Sequence, residues 1–340
     1  MQSGRSLVAD VLVIGAGPTG LACAIDVQEA GYRVIVVDKG CLCNSLFHYP
    51  SHMTFFTTSE LLEIGNMPFP SPHAKPNRNE ALEYYRKVAM RYGLDVRQYE
   101  AIAGVEGRDG DFRVRTTDRF GREKTYSAKK LIVATGYYDI PNLLNVPGEE
   151  LPKVMHYYTD PHPYYDQDVL VVGGKNSAAI AALELWRHGA RVTLVHREAE
   201  IHRHVKYWIK PDIENRIKNG EIAAHFSSRV MEVGLDTVTL ETPFGVKTID
   251  NDFVFAMTGY RPDFSFLEAL GVRMQGKDHM PVYDPETLES NVSGIYLAGV
   301  IVAGARTNEI FIENGRFHGQ QIAGGISQKL DLRLVAGGKE

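Results

Sequence analysis

The chain has 340 residues, which exceeds one average domain, so two domains are expected. Its formal net charge of −5 argues against a nucleic-acid partner, because binding to phosphate backbones needs a positive field. It has 44% hydrophobic and 23% charged residues, three cysteines and no apolar run long enough to cross a bilayer, which predicts a cytoplasmic protein with no membrane partner, no secretory signal and no disulfide framework.

The first segment, Asp10–Gly40, has the order of elements of a dinucleotide-binding unit. A short apolar strand leads into a G-x-G-x-x-G turn, a helix and a second apolar strand that ends at Asp38. The glycines permit a tight turn, a close approach of backbone to a pyrophosphate and close helix packing, and a carboxylate at Asp38 can accept hydrogen bonds from an adenosine ribose. The pattern predicts a site for a nucleotide with free ribose hydroxyls, as in FAD. The residues assigned to it are Gly15, Ala16, Gly17, Pro18, Thr19, Gly20, Asp38 and Lys39.

An excursion over residues 41–93 follows. Its Cys41 and Cys43 are the candidates if a protein thiol takes part in catalysis, and His52 is a candidate proton donor. Two cysteines one residue apart make a strained disulfide, and no neighbouring group is arranged to lower a thiol pKa, so packing roles are the alternative. The catalytic groups therefore stay unassigned.

An antiparallel meander, Asp95–Ala134, comes next and ends in Ala134, Thr135 and Gly136. Glycine after this strand permits a close approach of backbone to a bound nucleotide. These three residues are therefore added to the FAD site.

The second segment, Asp168–Glu198, repeats the first without a gap. Lys175 replaces the middle glycine, and His196, followed by Arg197, stands where the first copy has Asp38. A guanidinium pairs with a 2′-phosphate, whereas a carboxylate would repel it, so this site is predicted to bind NADP. The alternative is that Arg197 and Lys175 are surface charges. The residues assigned to the NADP site are Gly173, Gly174, Lys175, Asn176, Ser177, Ala178, His196, Arg197, Arg203 and, after a second meander, Gly259.

A further buried strand, Gly294–Val300, is expected to complete the first sheet, which adds Gly299 and Val300 to the FAD site. The predicted fold is α/β, with two Rossmann-like dinucleotide-binding domains of three-layer ββα architecture. The NADPH domain is expected to be inserted into the FAD domain. The FAD domain is expected over residues 1–157 and 286–340, and the NADPH domain over 158–285. No His, Cys and Asp set has the spacing of metal ligands, so no metal site is expected.

Several longer stretches resemble the bacillithiol disulfide reductase family, a thioredoxin-reductase-like group of flavoproteins. They include FHYPSHMTFFTTSELLEIGNMPFP, IVATGYYDIPN, DQDVLVVGGKNSAAIAALEL, FVFAMTGYRPD and IFIENGRFHG. The resemblance implies a homodimeric or larger enzyme that holds FAD at Gly15–Gly20 and Asp38 and reduces a low-molecular-weight disulfide with NADPH. It also implies that NADPH is held by Gly173, Gly174, Asn176, Ser177 and Arg197.

The sequence departs from related patterns at three places. The Cys-x-x-Cys of thioredoxin reductases is missing before the second glycine turn, which excludes a dithiol relay of that type. Thr19 stands where some members of the resembled family carry a cysteine, and Val300 stands where the superfamily usually has an aspartate.

The sequence therefore predicts an NADPH-dependent FAD oxidoreductase that passes hydride from NADPH to flavin and then electrons to a small-molecule disulfide or a small redox protein. Two alternatives stay open at this point. One is a ferredoxin- or flavodoxin-NADP reductase, which also lacks a dithiol. The other is a redox-sensing protein that holds FAD and NADPH without turnover.

Overall fold

The computed structural model describes residues 7–337, and side chains as far as Lys329. The described chain forms two units. The first contains the residues up to Phe47, Met53–Ile140 and those from Arg261 onward, and the second contains His48–His52 and Pro141–Tyr260.

The bounds of the regular elements follow in chain order. The strands are β1 (Leu7–Ile14), β2 (Val34–Val37), β3 (Val96–Arg97), β4 (Glu100–Arg108), β5 (Asp111–Asp118), β6 (Glu123–Val133), β7 (Ile140–Pro141), β8 (Val154–Met155), β9 (Asp168–Val172), β10 (Arg191–Val195), β11 (Ala223–His225), β12 (Arg229–Val233), β13 (Thr237–Thr242), β14 (Gly245–Asp250), β15 (Phe253–Ala256), β16 (Tyr260–Arg261), β17 (Met274–Gln275), β18 (Met280–Pro281) and β19 (Ile295–Leu297). The α-helices are α1 (Pro18–Glu29), α2 (Asn44–Phe47), α3 (Arg78–Tyr92), α4 (Asn176–Arg187), α5 (Lys210–Lys218), α6 (Phe264–Ala269), α7 (Ile312–Gly315) and α8 (His318–Gly337). Short 3-10 turns span Ser59–Leu62, His162–Tyr164 and Gly299–Ala303.

The first unit is built on a parallel sheet in the order β3-β2-β1-β6-β19. All four residues of β2 are buried, as expected for a parallel strand that is covered on both faces. Strand β6 is long enough to pair with both β5 and β1. Its residues Glu123–Ala128 pair antiparallel with β5, while Tyr126–Val133 runs parallel to β1. The pairing of β19 with β6 confirms the prediction that the later strand completes this sheet.

The second unit repeats this arrangement with the parallel order β11-β10-β9-β15-β8 and a separate antiparallel meander, β12-β13-β14. Its fifth strand, β8, precedes β9 in the chain, whereas β19 comes last in the first unit. These two sheets confirm the predicted fold of paired Rossmann-like units.

The unit boundaries differ from residues 158 and 285, where the sequence placed them. The segment from Pro141 belongs to the second unit because β8 pairs with β15 and the Asn142 N–H donates to the Gly259 carbonyl. The segment after Arg261 belongs to the first unit because Leu267 and Val272 pack in its core. The chain therefore makes its main crossings between the units at residues 140–141 and 260–261, besides the short excursion of His48–His52 into the second unit. The assignment of a cofactor to each unit remains a prediction.

Over the described residues, no helix is both long enough and apolar enough to span a membrane.

Candidate functional site

The turn between β1 and α1 is packed so tightly that Gly15 and Gly20 cannot be replaced without a clash. Gly15 has φ of 111°, and a Cβ there would lie 2.4 Å from the carbonyl oxygen of Ala134. A Cβ on Gly20 would lie 1.9 Å from the Gly15 carbonyl oxygen. Within the described part of the chain, by contrast, no heavy atom lies within 4 Å of the Cβ position at Gly17. The turn thus has a closed side against β6 and an open side at Gly17, which fits a pyrophosphate against the backbone.

The start of α1 also fits an anion. Pro18 occupies the first turn, and Gly17, the N-cap residue, supplies no side chain to cap it. The first amides of a helix point outward unpaired unless a cap or ligand accepts their hydrogen bonds. The FAD pyrophosphate would therefore meet N–H donors at this position.

Asp38 is oriented by two backbone amides. The Ala16 N–H donates to Oδ2 and the Gly40 N–H to Oδ1, both at 2.7 Å. Burial raises the pKa of Asp38, and the two amides oppose this rise by stabilising the carboxylate. Each carboxylate oxygen keeps further acceptor capacity for a ribose hydroxyl. The neighbouring Lys39 instead forms an exposed ion pair with Asp139 at 2.9 Å.

The remaining residues predicted for FAD lie at the ends of β6 and β19. Ala134 contacts the first glycine turn, Thr135 and Gly136 follow it, and Gly299 and Val300 begin a 3-10 turn after β19. A Cβ on Gly299 would lie 3.3 Å from Thr19 Cγ2, so this turn packs against α1. The structure adds His318, whose Nδ1 accepts a hydrogen bond from the Gly299 N–H at 3.0 Å. The sequence missed His318 because its partner lies 19 positions away.

The turn between β9 and α4 reproduces the first turn in its packing. Gly173 has φ of 144°, and a Cβ there would lie 2.6 Å from the Met257 carbonyl oxygen and 3.0 Å from the Ala178 methyl carbon. Ala178 is buried where the first copy has a glycine, so the methyl group is accommodated. Gly259, at the end of the following strand, has φ of 90°.

His196 lies beside the second glycine turn, in the place that Asp38 takes beside the first. Its ring fills the space next to Gly174, where a Cβ would lie 2.3 Å from the ring Cδ2. His196 is 8% exposed, and its Nε2 has no hydrogen-bond partner among the described residues. Burial lowers the pKa of His196, while Glu198 opposes this effect. A neutral imidazole with a buried, unpaired nitrogen therefore lies beside the second glycine turn.

Two hydrogen bonds connect the loop after β10 to the same turn. The His202 N–H donates to the Gly174 carbonyl and the Lys206 N–H to Asn176 Oδ1, both at 3.0 Å. These hydrogen bonds bring cationic groups to the N-terminus of α4. The exposed polar residues here are Lys175, Ser177, Arg197 and Arg203.

The Arg197 side chain is 71% exposed, and its ion pair with Glu198 is also exposed, with Nε 3.4 Å from Oε1, so solvent or a ligand can reach the guanidinium. The sequence selected Arg203 in this loop and missed His202. Burial lowers the pKa of His202, and Lys175 adds to the effect.

The candidate thiols lie in settings that disfavour thiolates. Cys41 is half-buried with its Sγ 3.6 Å from Asn44 Oδ1, and burial together with Asp38 raises its pKa. Cys43 is buried, its N–H donates to the Ala16 carbonyl, and burial raises its pKa well above the ordinary value. Reactive cysteines have depressed pKa values, so neither environment activates its sulfur. His52 is exposed, with Nε2 3.8 Å from Asp160 Oδ2.

Comparisons with known proteins found a matching family model and similar relatives. The model of the pyridine nucleotide-disulphide oxidoreductase family matches residues 12–299. The chain is 46% identical over 322 residues to bacilliredoxin reductase Bdr of Bacillus subtilis (strain 168), covering 94% of this chain and 97% of the relative.

Two solved structures are also similar. Bacillithiol disulfide reductase Bdr from Bacillus cereus is 48% identical with a TM-score of 0.93, and the enzyme of that name from Staphylococcus aureus is 42% identical with a TM-score of 0.91. Each comparison covers 95% of this chain and 99% of the other. These similarities confirm the resemblance that the motifs indicated.

Proposed function

Because this chain belongs to the pyridine nucleotide-disulphide oxidoreductase family, we propose that it uses NADPH to reduce the disulfide of a low-molecular-weight thiol such as bacillithiol disulfide. It is an oxidoreductase, and its cofactors are FAD and NADPH. The names of similar proteins point to two related acceptors, bacillithiol disulfide and a bacilliredoxin. A small redox protein is therefore the second acceptor to test.

The contrast between the two glycine turns carries this proposal. The turn at Gly15 has an oriented carboxylate, Asp38, which suits the free ribose hydroxyls of FAD. The turn at Gly173 has His196 and Arg197 in that place, which suit a 2′-phosphate. When bound, FAD supplies the chemistry of accepting a hydride and passing on two electrons.

The chain's own residues bind and orient the two nucleotides. The amides at the start of α1 and α4 hold the pyrophosphates, and Asp38 and Arg197 select between a free and a phosphorylated ribose. In the net reaction, NADPH, one proton and a disulfide give NADP⁺ and two thiols.

We assign no catalytic thiol to this reaction. Cys23 is buried on α1, and burial raises its pKa far above the ordinary value. Cys41 and Cys43 have raised pKa values for the same reason. Thr19 has no sulfur, so it cannot form a mixed disulfide. The proton donor remains open, with exposed His52 as the candidate.

Anaerobic assays of the purified protein test the proposal. Oxidation of NADPH is followed with bacillithiol disulfide, an oxidised bacilliredoxin, glutathione disulfide, oxidised ferredoxin and a quinone as acceptors. The expected result is turnover with bacillithiol disulfide or the bacilliredoxin and a clear preference for NADPH over NADH. Turnover with ferredoxin alone would replace the proposal by a ferredoxin-NADP reductase, and flavin that stays oxidised in NADPH would favour a sensor.

We also propose that the protein is cytoplasmic and forms a homodimer or a higher homo-oligomer. The three cysteines are unpaired, as in reducing compartments. Light scattering of the FAD-loaded protein tests the assembly, and a mass equal to one chain at micromolar concentration would contradict it.

A further inference from the structure

A buried histidine, His318, connects the start of α8 to the turn that follows β19. Its Nδ1 accepts a hydrogen bond from the Gly299 N–H at 3.0 Å. The residue is 8% exposed. It forms no part of the residue sets predicted for either nucleotide.

The hydrogen bond fixes the state of the imidazole. A backbone N–H can only donate, so Nδ1 must carry a lone pair and the ring proton must be on Nε2. Burial lowers the pKa of His318 below its ordinary value, which keeps the ring neutral near neutral pH. Protonation of Nδ1 would place two donors against each other and leave the Gly299 amide without its acceptor.

Gly299 packs closely against the start of α1. Its φ is 78°, in the left-handed region that favours glycine. A Cβ on Gly299 would lie 3.3 Å from Thr19 Cγ2, and a Cβ on Gly315 would lie 3.2 Å from Thr19 Oγ1. Thr19 belongs to the first turn of α1, where the FAD pyrophosphate is proposed to bind.

We propose that neutral His318 is a positioning residue that holds the Gly299–Val300 turn against the FAD site, and that its protonation loosens FAD. This inference rests on the proposed function, because it needs FAD to bind beside α1. His318 does not touch the reacting atoms. Its effect passes through the backbone of Gly299.

Other titratable groups near the start of α8 must be separated from His318. Cys23 and Asp26 lie on α1, Tyr296 lies on β19, Glu313 lies on α7, and Arg316 lies two residues before His318. Asp26 is the main competitor, because a Cβ on Gly319 would lie 2.3 Å from its Oδ2. Burial raises the pKa of Asp26 to about 7, and Glu29 adds to the rise. Asp26 therefore gains charge as the pH rises, whereas His318 gains charge as the pH falls.

FAD retention of the purified holoprotein tests the proposal, with His318→Asn, His318→Leu and Asp26→Asn as variants. The dissociation constant of FAD is measured by the fluorescence of released flavin at pH 8 and at about pH 5. The Asn Oδ1 can accept the Gly299 hydrogen bond but does not titrate. Leu removes the acceptor and leaves a buried amide unpaired, which should weaken FAD binding on the order of 10-fold at pH 8.

The expected pattern has three parts. The wild type loses affinity on acidification, His318→Asn retains FAD within about 3-fold at both pH values, and Asp26→Asn still loses affinity like the wild type. Acid loss in His318→Asn equal to that of the wild type would overturn the inference, as would unchanged FAD binding by His318→Leu at pH 8.

Failure of a variant to fold, loss of all FAD binding and unchanged pH profiles have different consequences. If His318→Leu does not fold, as judged by circular dichroism, the comparison of His318→Asn with the wild type still decides. A wild-type protein that binds no FAD at any pH overturns the proposed function together with this inference, whereas bound FAD with identical pH profiles overturns only the role of His318.

Discussion

Asp38 and His196 occupy the same place in two copies of one turn and offer opposite chemistry. Asp38 accepts a hydrogen bond from the Ala16 N–H and offers its carboxylate oxygens as further acceptors. His196 fills the space beside Gly174 and is followed by exposed Arg197. A carboxylate suits ribose hydroxyls, and the guanidinium of Arg197 suits a phosphate. We therefore propose that the residues at the end of the second strand separate the two nucleotide preferences.

Arg197 carries the first prediction. In Arg197→Ala the KM for NADPH should rise by about 10- to 100-fold while the KM for NADH changes little, because a charge-assisted bond to the 2′-phosphate is lost. Steady-state kinetics with both nucleotides measure the effect. Arg229→Ala, an exposed arginine on β12 of the same unit, is the matched control and should leave both constants unchanged. Equal loss of NADPH and NADH binding in Arg197→Ala would refute the assignment.

The cysteines give the second prediction. Cys41→Ser should retain disulfide turnover within about 2-fold, because this thiol is not activated. Cys43→Ala should lower the melting temperature, since it leaves a small cavity in a buried site, yet keep kcat. Turnover assays and thermal scans give both quantities. A 100-fold loss of disulfide reduction in either variant, with flavin reduction by NADPH intact, would restore a thiol mechanism.

Asp26 gives a third prediction, on stability against pH. Its carboxyl pKa is raised to about 7 in the fold, so the folded protein binds a proton there that the unfolded chain has lost above about pH 4. The stability contribution of this group is thus fully present at low pH and is lost as the pH rises toward 7. Asp26→Asn removes this loss of stability, so it should raise the melting temperature at pH 8 by about 2–4 °C. The expected shift is modest because solvent screens the charge of a partly exposed group.

Differential scanning calorimetry at pH 8 and at about pH 5 measures this difference, which should shrink at the lower pH. Glu29→Gln removes only a neighbouring charge and should give a smaller gain. An Asp26→Asn variant that is less stable than the wild type at pH 8 would show that the carboxylate has a stabilising partner in solution.

At the scale of elements, the two strand-to-helix turns are tightly constrained by packing. A Cβ would lie 2.4 Å from a carbonyl oxygen at Gly15 and 2.6 Å from one at Gly173, and both glycines have positive φ. Even alanine would therefore have to move β6 or the strand end at Met257. The two turns provide reciprocal tests of the two nucleotide sites.

The fourth prediction uses this reciprocity. Gly15→Ala should lower FAD retention, whereas Gly173→Ala should retain FAD and raise the KM for NADPH, each by about 10-fold or more. Bound flavin is measured by absorbance and nucleotide binding by steady-state kinetics. Gly220→Ala provides the control, because φ there is 73° but no described heavy atom lies within 4 Å of its Cβ position. Loss of FAD in Gly173→Ala with retention in Gly15→Ala would reverse the assignment of the sites.

The same elements show which parts of the fold could be predicted from the sequence. The strands β1, β2, β9 and β10 and their glycine turns were predictable, because buried parallel strands are apolar runs and tight turns need glycine. The unit boundaries were not, because the segments beside them contain two-residue strands such as β7 and β8, which have no detectable period. His202 and His318 were missed for another reason. Their contacts, to Gly174 and Gly299, join residues that are distant in the chain.

At the scale of the whole chain, the two units use the same strand order but obtain the fifth strand differently. In the second unit β8 comes from the segment immediately before β9, and in the first unit β19 comes after the entire second unit. The internal repeat predicted three of the four shared strands of each sheet, and it merged β3 with β4 and β11 with β12 into single runs. The origin of the fifth strand follows from the point at which the second unit interrupts the first.

The late position of β19 has a consequence for synthesis on the ribosome. Residues 141–260 emerge together and contain every strand of their sheet, so this portion can fold while translation continues. The other sheet has to wait, with the β6 edge uncovered, until Ile295–Leu297 leave the exit tunnel. Under the proposed assignment of the cofactors, the nascent protein acquires its pyridine-nucleotide pocket first and becomes yellow only near the end of translation.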